Sequence, residues 1–273
     1  KTYSYEDLDK NRDGKIDSIT VIYKNTTQNI VINRSDPLWN YKDYADYVEI
    51  NLGDGRMLQS QYYVQVINNY STLYMANNDQ KPIVSLKSPI HEMGHIFGLL
   101  DLYNSSGQTP VYFMSAMANA ISPVPQGLSI KEKEALGWTD DSTLKTITEP
   151  GEYKVKLSGT ATGTDDCIGY KAGIPELNRT LYLEYRNFST DGSKYDKSEK
   201  QLTNSETSNI KSGLVCYLAQ PDIRFPSNLN GKPGNWALEV MGGTQSTKSD
   251  AALGVNDSLQ VTDKLKVTVT AIE

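Results

Sequence analysis

The stretch His91-Glu92-Met93-Gly94-His95-Ile96-Phe97-Gly98-Leu99-Leu100-Asp101 holds both histidines of a 273-residue chain. Residues four apart on a helix share a face, one turn above each other. A helix over 89–97 therefore stacks His91 and His95 as two ligands for a single zinc ion. Ser88-Pro89 suit its cap and first helical position, and Ile90, Met93, Ile96 and Phe97 supply an apolar side for packing. Gly98 takes a positive φ without a Cβ penalty and so ends the helix. If the chain turns there, Asp101 returns to the metal as a third ligand, and Glu92 stands beside the histidines as a general base. Single helical histidines are more often packing residues than ligands. A bare HExxH, however, arises by chance in about one of a few hundred chains of this length, and Gly98 with Asp101 lowers that by a further factor of about a few hundred.

The rest of the composition narrows the classes. The net charge is -6 and the pI about 5.1. No basic patch or stripe is visible, which argues against a nucleic-acid partner. No run of eighteen apolar residues is present, so no transmembrane segment is expected. The length fits one large domain or two smaller ones, and the chain begins at Lys1 without a signal peptide, as a processed or truncated product would. Cys167 and Cys216 are the only cysteines. They are too few for a disulfide-built scaffold, leave one disulfide open as a possibility, and find no spare histidine to activate a catalytic thiol.

Near the start, Asp9-Lys10-Asn11-Arg12-Asp13-Gly14-Lys15-Ile16-Asp17 reproduces the front of a calcium loop. Asp9, Asn11, Asp13 and Asp17 place side-chain oxygens at positions 1, 3, 5 and 9, Lys15 offers its backbone carbonyl, and Gly14 allows the sharp turn. Position 12 is Thr20 rather than a bidentate glutamate, so a complete EF-hand is not expected and a further carboxylate would come from elsewhere. The plain alternative is an Asx-rich turn without an ion.

Strands are expected at Ile16–Tyr23, Asn29–Asn33, Tyr47–Leu52, Gln61–Asn68 and Thr72–Met75, from their β-branched and aromatic content. Residues 103–127 read as irregular. Ser129 to Leu136 reads as a short helix, with Ser129 as cap and Glu132 completing a capping box. From Glu149 onward the pattern is strands between Gly, Asn, Asp and Ser: Tyr153–Leu157, Thr180–Tyr185, Gly213–Ala219, Trp236–Met241 and Leu259–Ala271. The polar run from Ser189 to Lys211 reads as an exposed loop.

At HEMGHIFGLLD the chain resembles metzincin-type zinc peptidases in their aspartate-bearing form, and most of all the immune inhibitor A family of secreted bacterial metallopeptidases. Three further segments carry the likeness: the acidic loop Asp9–Asp17 leading into a strand, Lys133-Glu134-Ala135-Leu136-Gly137-Trp138 after a methionine turn, and Leu183-Glu184-Tyr185-Arg186. The resemblance covers about residues 1–220. It implies His91, His95 and Asp101 as zinc ligands, Glu92 as general base, and a methionine beneath the metal, either Met114 or, by its distance to the Lys133 segment, Met117. Where some metzincins carry a tyrosine two residues after that methionine, this chain has Asn119. A rival ligand set, as in gluzincins, takes Glu132 or Glu134 from a later helix; Gly98 and Asp101 make it unnecessary.

The expected fold is α+β: a metzincin-like catalytic domain over 1–147, with a twisted mixed sheet and an active-site helix, and a β-rich region over 148–273 that completes it or is appended to it. The expected function is a secreted, calcium-stabilised zinc endopeptidase acting on protein or peptide substrates, which would lie extended along a sheet edge such as Tyr62–Ile67. Two other readings stand beside it: a β-rich binding or adhesive protein with a vestigial metal site, and a zinc amidohydrolase that is not a peptidase. Retention of Glu92 beside all three ligands argues against a vestigial site. The sequence indicates no oligomeric state.

Overall fold

The structure, a computed structural model, describes residues 12, 15–25, 41–51, 57–68, 87–104, 106, 108–118, 127–156, 167–188, 210–221, 236–244 and 248–272; for 15–25, 41–51, 57–68, 87–89, 92 and 113 it describes the backbone. The chain divides into two compact units, 1–97 and 98–273.

The first unit is α+β. Strands β1 (Lys15–Asn25), β2 (Tyr41–Asn51) and β3 (Met57–Asn68) form a mixed sheet in the order β1-β3-β2, and helix α1 (Lys87–Ile96) follows. β1 runs parallel to β3 and β2 antiparallel to it. The Ile16–Tyr23 expectation falls inside β1, and Gln61–Asn68 is the latter part of β3. The register between β1 and β3 breaks between Ile16 and Ile19, so that Asp17 and Ser18 together face Gln61, a bulge at the mouth of the strand. Of the expected edge Tyr62–Ile67, the part Tyr62–Val64 is not an edge, while Gln65–Ile67 pair with β1 alone among the described residues. β3 is the central strand, and Tyr62–Val64 pair with β1 on one side and β2 on the other, which leaves no backbone groups there for an added peptide strand. The expected strands at Asn29–Asn33 and Thr72–Met75 lie outside the described residues.

The second unit is built on a five-stranded mixed sheet in the order β4-β5-β6-β7-β8, with β4 Leu144–Thr146, β5 Gly169–Ile174, β6 Arg179–Arg186, β7 Gly213–Ala219 and β8 Leu238–Val240. Only β4 and β5 are parallel. The two-residue period of β6 and β7 sends alternate side chains to opposite faces, and both faces are covered. Tyr182, Val215, Tyr217 and Ala219 join a core with Leu99, Leu102, Met114, Met117, Ile130 and Phe188. Leu181, Leu183, Cys216 and Leu218 join a second core, roofed by the hairpin β9 (Ser258–Thr262) and β10 (Leu265–Thr268) through Leu259, Val261, Leu265 and Val267.

Helix α2 (Ile130–Ala135) packs on the first face. Its capping box is formed as expected: the Ser129 hydroxyl accepts the Glu132 amide hydrogen, and the Glu132 carboxylate accepts the amide hydrogen of Ser129. Ile130 lies directly over Gly169, where a Cβ would fall 2.9 Å from Ile130 Cγ1 and 2.9 Å from the Leu183 carbonyl oxygen. Glycine is what lets the helix sit this close to the sheet.

Two local expectations need correction, and the disulfide left open is not formed. Over its described part, 153–156, the Tyr153–Leu157 segment forms no strand; the Lys156 amide bonds the Cys167 carbonyl at 2.9 Å without a continuing ladder. Leu259–Ala271 is not one strand but a hairpin, broken at the turn Asp263-Lys264. Cys167 and Cys216 are both free and buried. β6 separates β7, which bears Cys216, from the segment running into β5, which bears Cys167. Two strand spacings are about 9.6 Å, beyond the roughly 7 Å that a disulfide spans between Cα atoms.

Candidate metal centre

Helix α1 begins at Lys87, one residue before the expected cap, so that Ser88 and Pro89 lie in its first turn. Pro89 is tolerated there because the amides of a first turn have no intrahelical acceptor. The helix carries His91 and His95 with ring centroids 4.8 Å apart and planes at 87°, one ring edge-on to the other. Of its expected apolar side, Ile90 and Ile96 are partly buried, whereas Met93 and Phe97 are exposed.

The Phe97 amide closes the last turn on the Met93 carbonyl at 3.1 Å, and Gly98 then takes φ +92. That left-handed turn sends the chain back on itself, and Leu99 and Leu102 anchor it by burying their side chains in the first core. Asp101 lies between these anchors. One ligand atom from each of His91, His95 and Asp101 falls within 4.8 Å of the others, and all three residues are partly buried. Oδ1 of Asp101 is inaccessible to solvent.

The donor set fits zinc. Two imidazole nitrogens and one carboxylate oxygen are ligands zinc accepts, and three protein ligands leave a fourth tetrahedral position open. Bonds of about 2.0–2.1 Å in that geometry separate ligand atoms by roughly 3.4 Å, so the observed spread closes with small movements of side-chain tips. The structure thus brings together the three residues expected as ligands. Glu92 is in the same helical turn, but its side chain lies outside the described structure.

The rival third ligands are committed elsewhere. Glu132 Oε1 accepts from the Ser115 hydroxyl at 2.6 Å, while Oε2 accepts from the Ser129 amide at 2.7 Å and its hydroxyl at 2.6 Å. Burial pushes its carboxyl up from the ordinary range, against the opposing pull of the serine hydrogen bonds. Glu134 Oε1 accepts from Lys171 at 2.7 Å, and Oε2 from Lys131 at 2.8 Å and the Tyr182 hydroxyl at 2.7 Å. Burial alone would raise the Glu134 carboxyl, but these three donors bring it down to about 2; the same contact and burial raise the Tyr182 phenol.

Residues that the motif does not name hold the ligand loop. The Leu102 amide donates to the Met117 carbonyl at 2.9 Å, and the Leu102 carbonyl accepts from the Thr109 hydroxyl at 2.7 Å. Both backbone groups of the residue after Asp101 are therefore fixed. Asn104 closes the loop by accepting the Ser106 and Gln108 amides on Oδ1 at 3.0 and 2.9 Å. Met117 and Met114 are both buried, but it is Met117 whose backbone reaches the ligand loop.

Of the expected calcium loop, Asp9, Asn11 and Asp13 lie outside the described residues. Arg12 adopts φ 60, and Lys15 and Asp17 open β1, Asp17 at the bulge. Among the described residues no helix is long and apolar enough to cross a membrane. Comparison with protein-family models, with curated proteins and with solved structures finds no match.

Proposed function

We propose that this chain is a zinc-dependent endopeptidase of the metzincin type, related to the immune inhibitor A family, that acts outside the cell on polypeptide substrates. The observation that carries this reading is the convergence of His91, His95 and Asp101 within 4.8 Å, on a segment that also bears Glu92. Zinc bound by these residues would supply a Lewis acid that acidifies water and polarises a peptide carbonyl. His91 and His95 would bind through neutral imidazoles, and Asp101 would lend a negative charge. Glu92 would take the proton of the attacking water and deliver it to the departing amine. No side-chain nucleophile is needed, so no acyl-enzyme forms. The buried Met117, tied through its carbonyl to Leu102, supports the choice of Met117 over Met114 as the methionine beneath the metal.

On this reading the residues from 148 onward complete the catalytic domain or are appended to it. The Asp9–Asp17 loop would hold calcium, with Asp17 at the backbone bulge that opens β1.

The test is the metal content of the purified chain together with cleavage of casein before and after chelation. One zinc per chain and chelator-sensitive cleavage are expected. Glu92→Gln should retain the zinc and lose cleavage at least a hundredfold, in line with general-base contributions of about 10²–10⁴. No zinc after reconstitution would sink the ligand assignment, and zinc without cleavage of any unfolded protein would sink the peptidase.

A further inference from the structure

The first face of the five-stranded sheet buries several ionisable groups that the proposed chemistry does not use. Glu132, Glu184, Arg186 and Tyr217 are almost wholly buried there, with Ser115 and Ser129. A buried carboxylate is costly unless it is bonded and compensated, so its partners show what it serves. A capping box occupies one oxygen of Glu132, Oε2. The other oxygen reaches seventeen residues back to the Ser115 hydroxyl.

From Ser115 a continuous run of hydrogen bonds leads to the ligand loop. The Ser115 hydroxyl donates a hydrogen bond to Glu132 Oε1 and accepts one from the Met117 amide at 2.9 Å. The Met117 carbonyl accepts the Leu102 amide at 2.9 Å, and Leu102 follows Asp101 in the chain. All donors along the run point the same way, from Leu102 toward the carboxylate; the two bonds that share the Ser115 hydroxyl polarise each other, and the Met117 backbone links them to the Leu102 bond. The rest of the turn is also held. Arg186 Nη1 donates to the Met114 carbonyl at 3.3 Å and to Glu184 Oε1 at 3.2 Å, and the Ala116 amide donates to the Gly127 carbonyl at 3.2 Å. The Tyr217 hydroxyl adds a bond to the same Glu184 oxygen.

We propose that Ser115 and Glu132 are positioning residues for the third metal ligand, fixing Asp101 through the Ser115–Met117–Leu102 hydrogen-bond run. The inference rests on the metal reading above. Its consequence is that one oxygen of a carboxylate 31 residues along the chain, Glu132 Oε1, rather than the helix cap on its other oxygen, determines how well Asp101 is preorganised. Groups that orient metal ligands from behind typically change metal affinity by 10–100-fold.

The full chain, stripped of metal, is titrated with zinc against a chromophoric chelator and with cobalt(II), whose visible spectrum reports ligand geometry. Ser115→Ala should weaken zinc binding by about 10–100-fold, alter the cobalt spectrum and speed hydrogen exchange at the Leu102 amide in the metal-free chain. Ser129→Ala is the control: it loses the cap on the same carboxylate but leaves the run to Asp101 in place. It should lower the thermal midpoint while leaving zinc affinity and the cobalt spectrum unchanged. Should Ser115→Ala not fold, Glu132→Gln takes its place with the same expected loss. A folded Ser115→Ala chain with wild-type affinity and spectrum would overturn the inference while leaving the metal reading intact. A wild-type chain that takes up neither metal would overturn both.

Discussion

Ile130 and Gly169 are in such close apposition that a Cβ on residue 169 would sit 2.9 Å from Ile130 Cγ1. The same Cβ would stand 2.9 Å from the Leu183 carbonyl oxygen, which belongs to the sheet and cannot yield as a side chain can. Gly169→Ala should therefore destabilise the 98–273 unit by about 1–3 kcal/mol, the usual cost of overpacking. Urea unfolding followed by the fluorescence of Trp138 and Trp236 measures it. Adding Ile130→Val should fail to restore stability, because the backbone clash persists and the core loses a methylene. Wild-type stability in Gly169→Ala would show that the sheet backbone at Leu183 gives way as well as α2, and the close-packing argument would fall.

Glu134 joins α2 to the sheet through charge rather than packing. Its folded-state carboxyl titrates near 2 against an ordinary value of 4.5. Between those values the unfolded chain binds a proton that the folded chain does not, so this group's stabilisation is complete above about pH 4.5 and is lost as pH falls toward 2. Glu132 acts with the opposite sign: its raised carboxyl makes stability fall as pH rises above 4.5. Glu134→Gln should flatten the stability profile between pH 2 and 4.5 and cost about 1–3 kcal/mol at neutral pH, where Lys131, Lys171 and Tyr182 lose an ionised acceptor. An unchanged acid profile in the variant would remove Glu134 as the source of acid sensitivity.

The contrast between these acids shows what the sequence disclosed. The capping box of Ser129 and Glu132 and the ligand set His91, His95 and Asp101 were legible because each is closed within a few residues, where spacing alone fixes the geometry. β6 and β7 were legible because long apolar runs with β-branched and aromatic residues mark strands buried on both faces. β5 escaped: Gly169, Lys171 and Gly173 hide its pattern, and Gly169 is there for the sake of Ile130, 39 residues earlier. The hairpin of β9 and β10 read as one strand because Asp263-Lys264 turns without the glycine or asparagine that usually marks such a site. The support of the ligand loop by Thr109, Ser115 and Met117 depends on which segments meet in the fold, and no local pattern signals that.

The thiols give a direct check on strand order. Burial pushes the Cys216 thiol up to about 12, and Cys167 donates to the Gly169 carbonyl at 3.2 Å. With β6 between them, no disulfide should form. A thiol-reactive chromophore should find no reactive thiol in the native chain and two after denaturation without reductant. A mass that rises by two hydrogens on reduction, with no thiols in the denatured unreduced chain, would place Cys167 beside Cys216 and contradict the order β5-β6-β7.

Gly98 separates the metal site from the fold that carries it. Its φ of +92 lies where an L side chain is strained, although nothing lies within 4 Å of an added Cβ. Gly98→Ala should thus cost only backbone strain, about 1–2 kcal/mol. The cheapest relief is to rotate the turn, which moves Asp101 away from His91 and His95. On the zinc reading, affinity should then fall more than stability does. With zinc at a thousand times its wild-type Kd, ligand binding raises the stability of the wild-type chain by about 4 kcal/mol, and Gly98→Ala should show less than half of that gain. Thermal melts of both chains, with zinc and with chelator, measure the difference. Equal zinc-induced gains would mean that Asp101 reaches the metal whatever the turn at Gly98, and the role given to that glycine would fall.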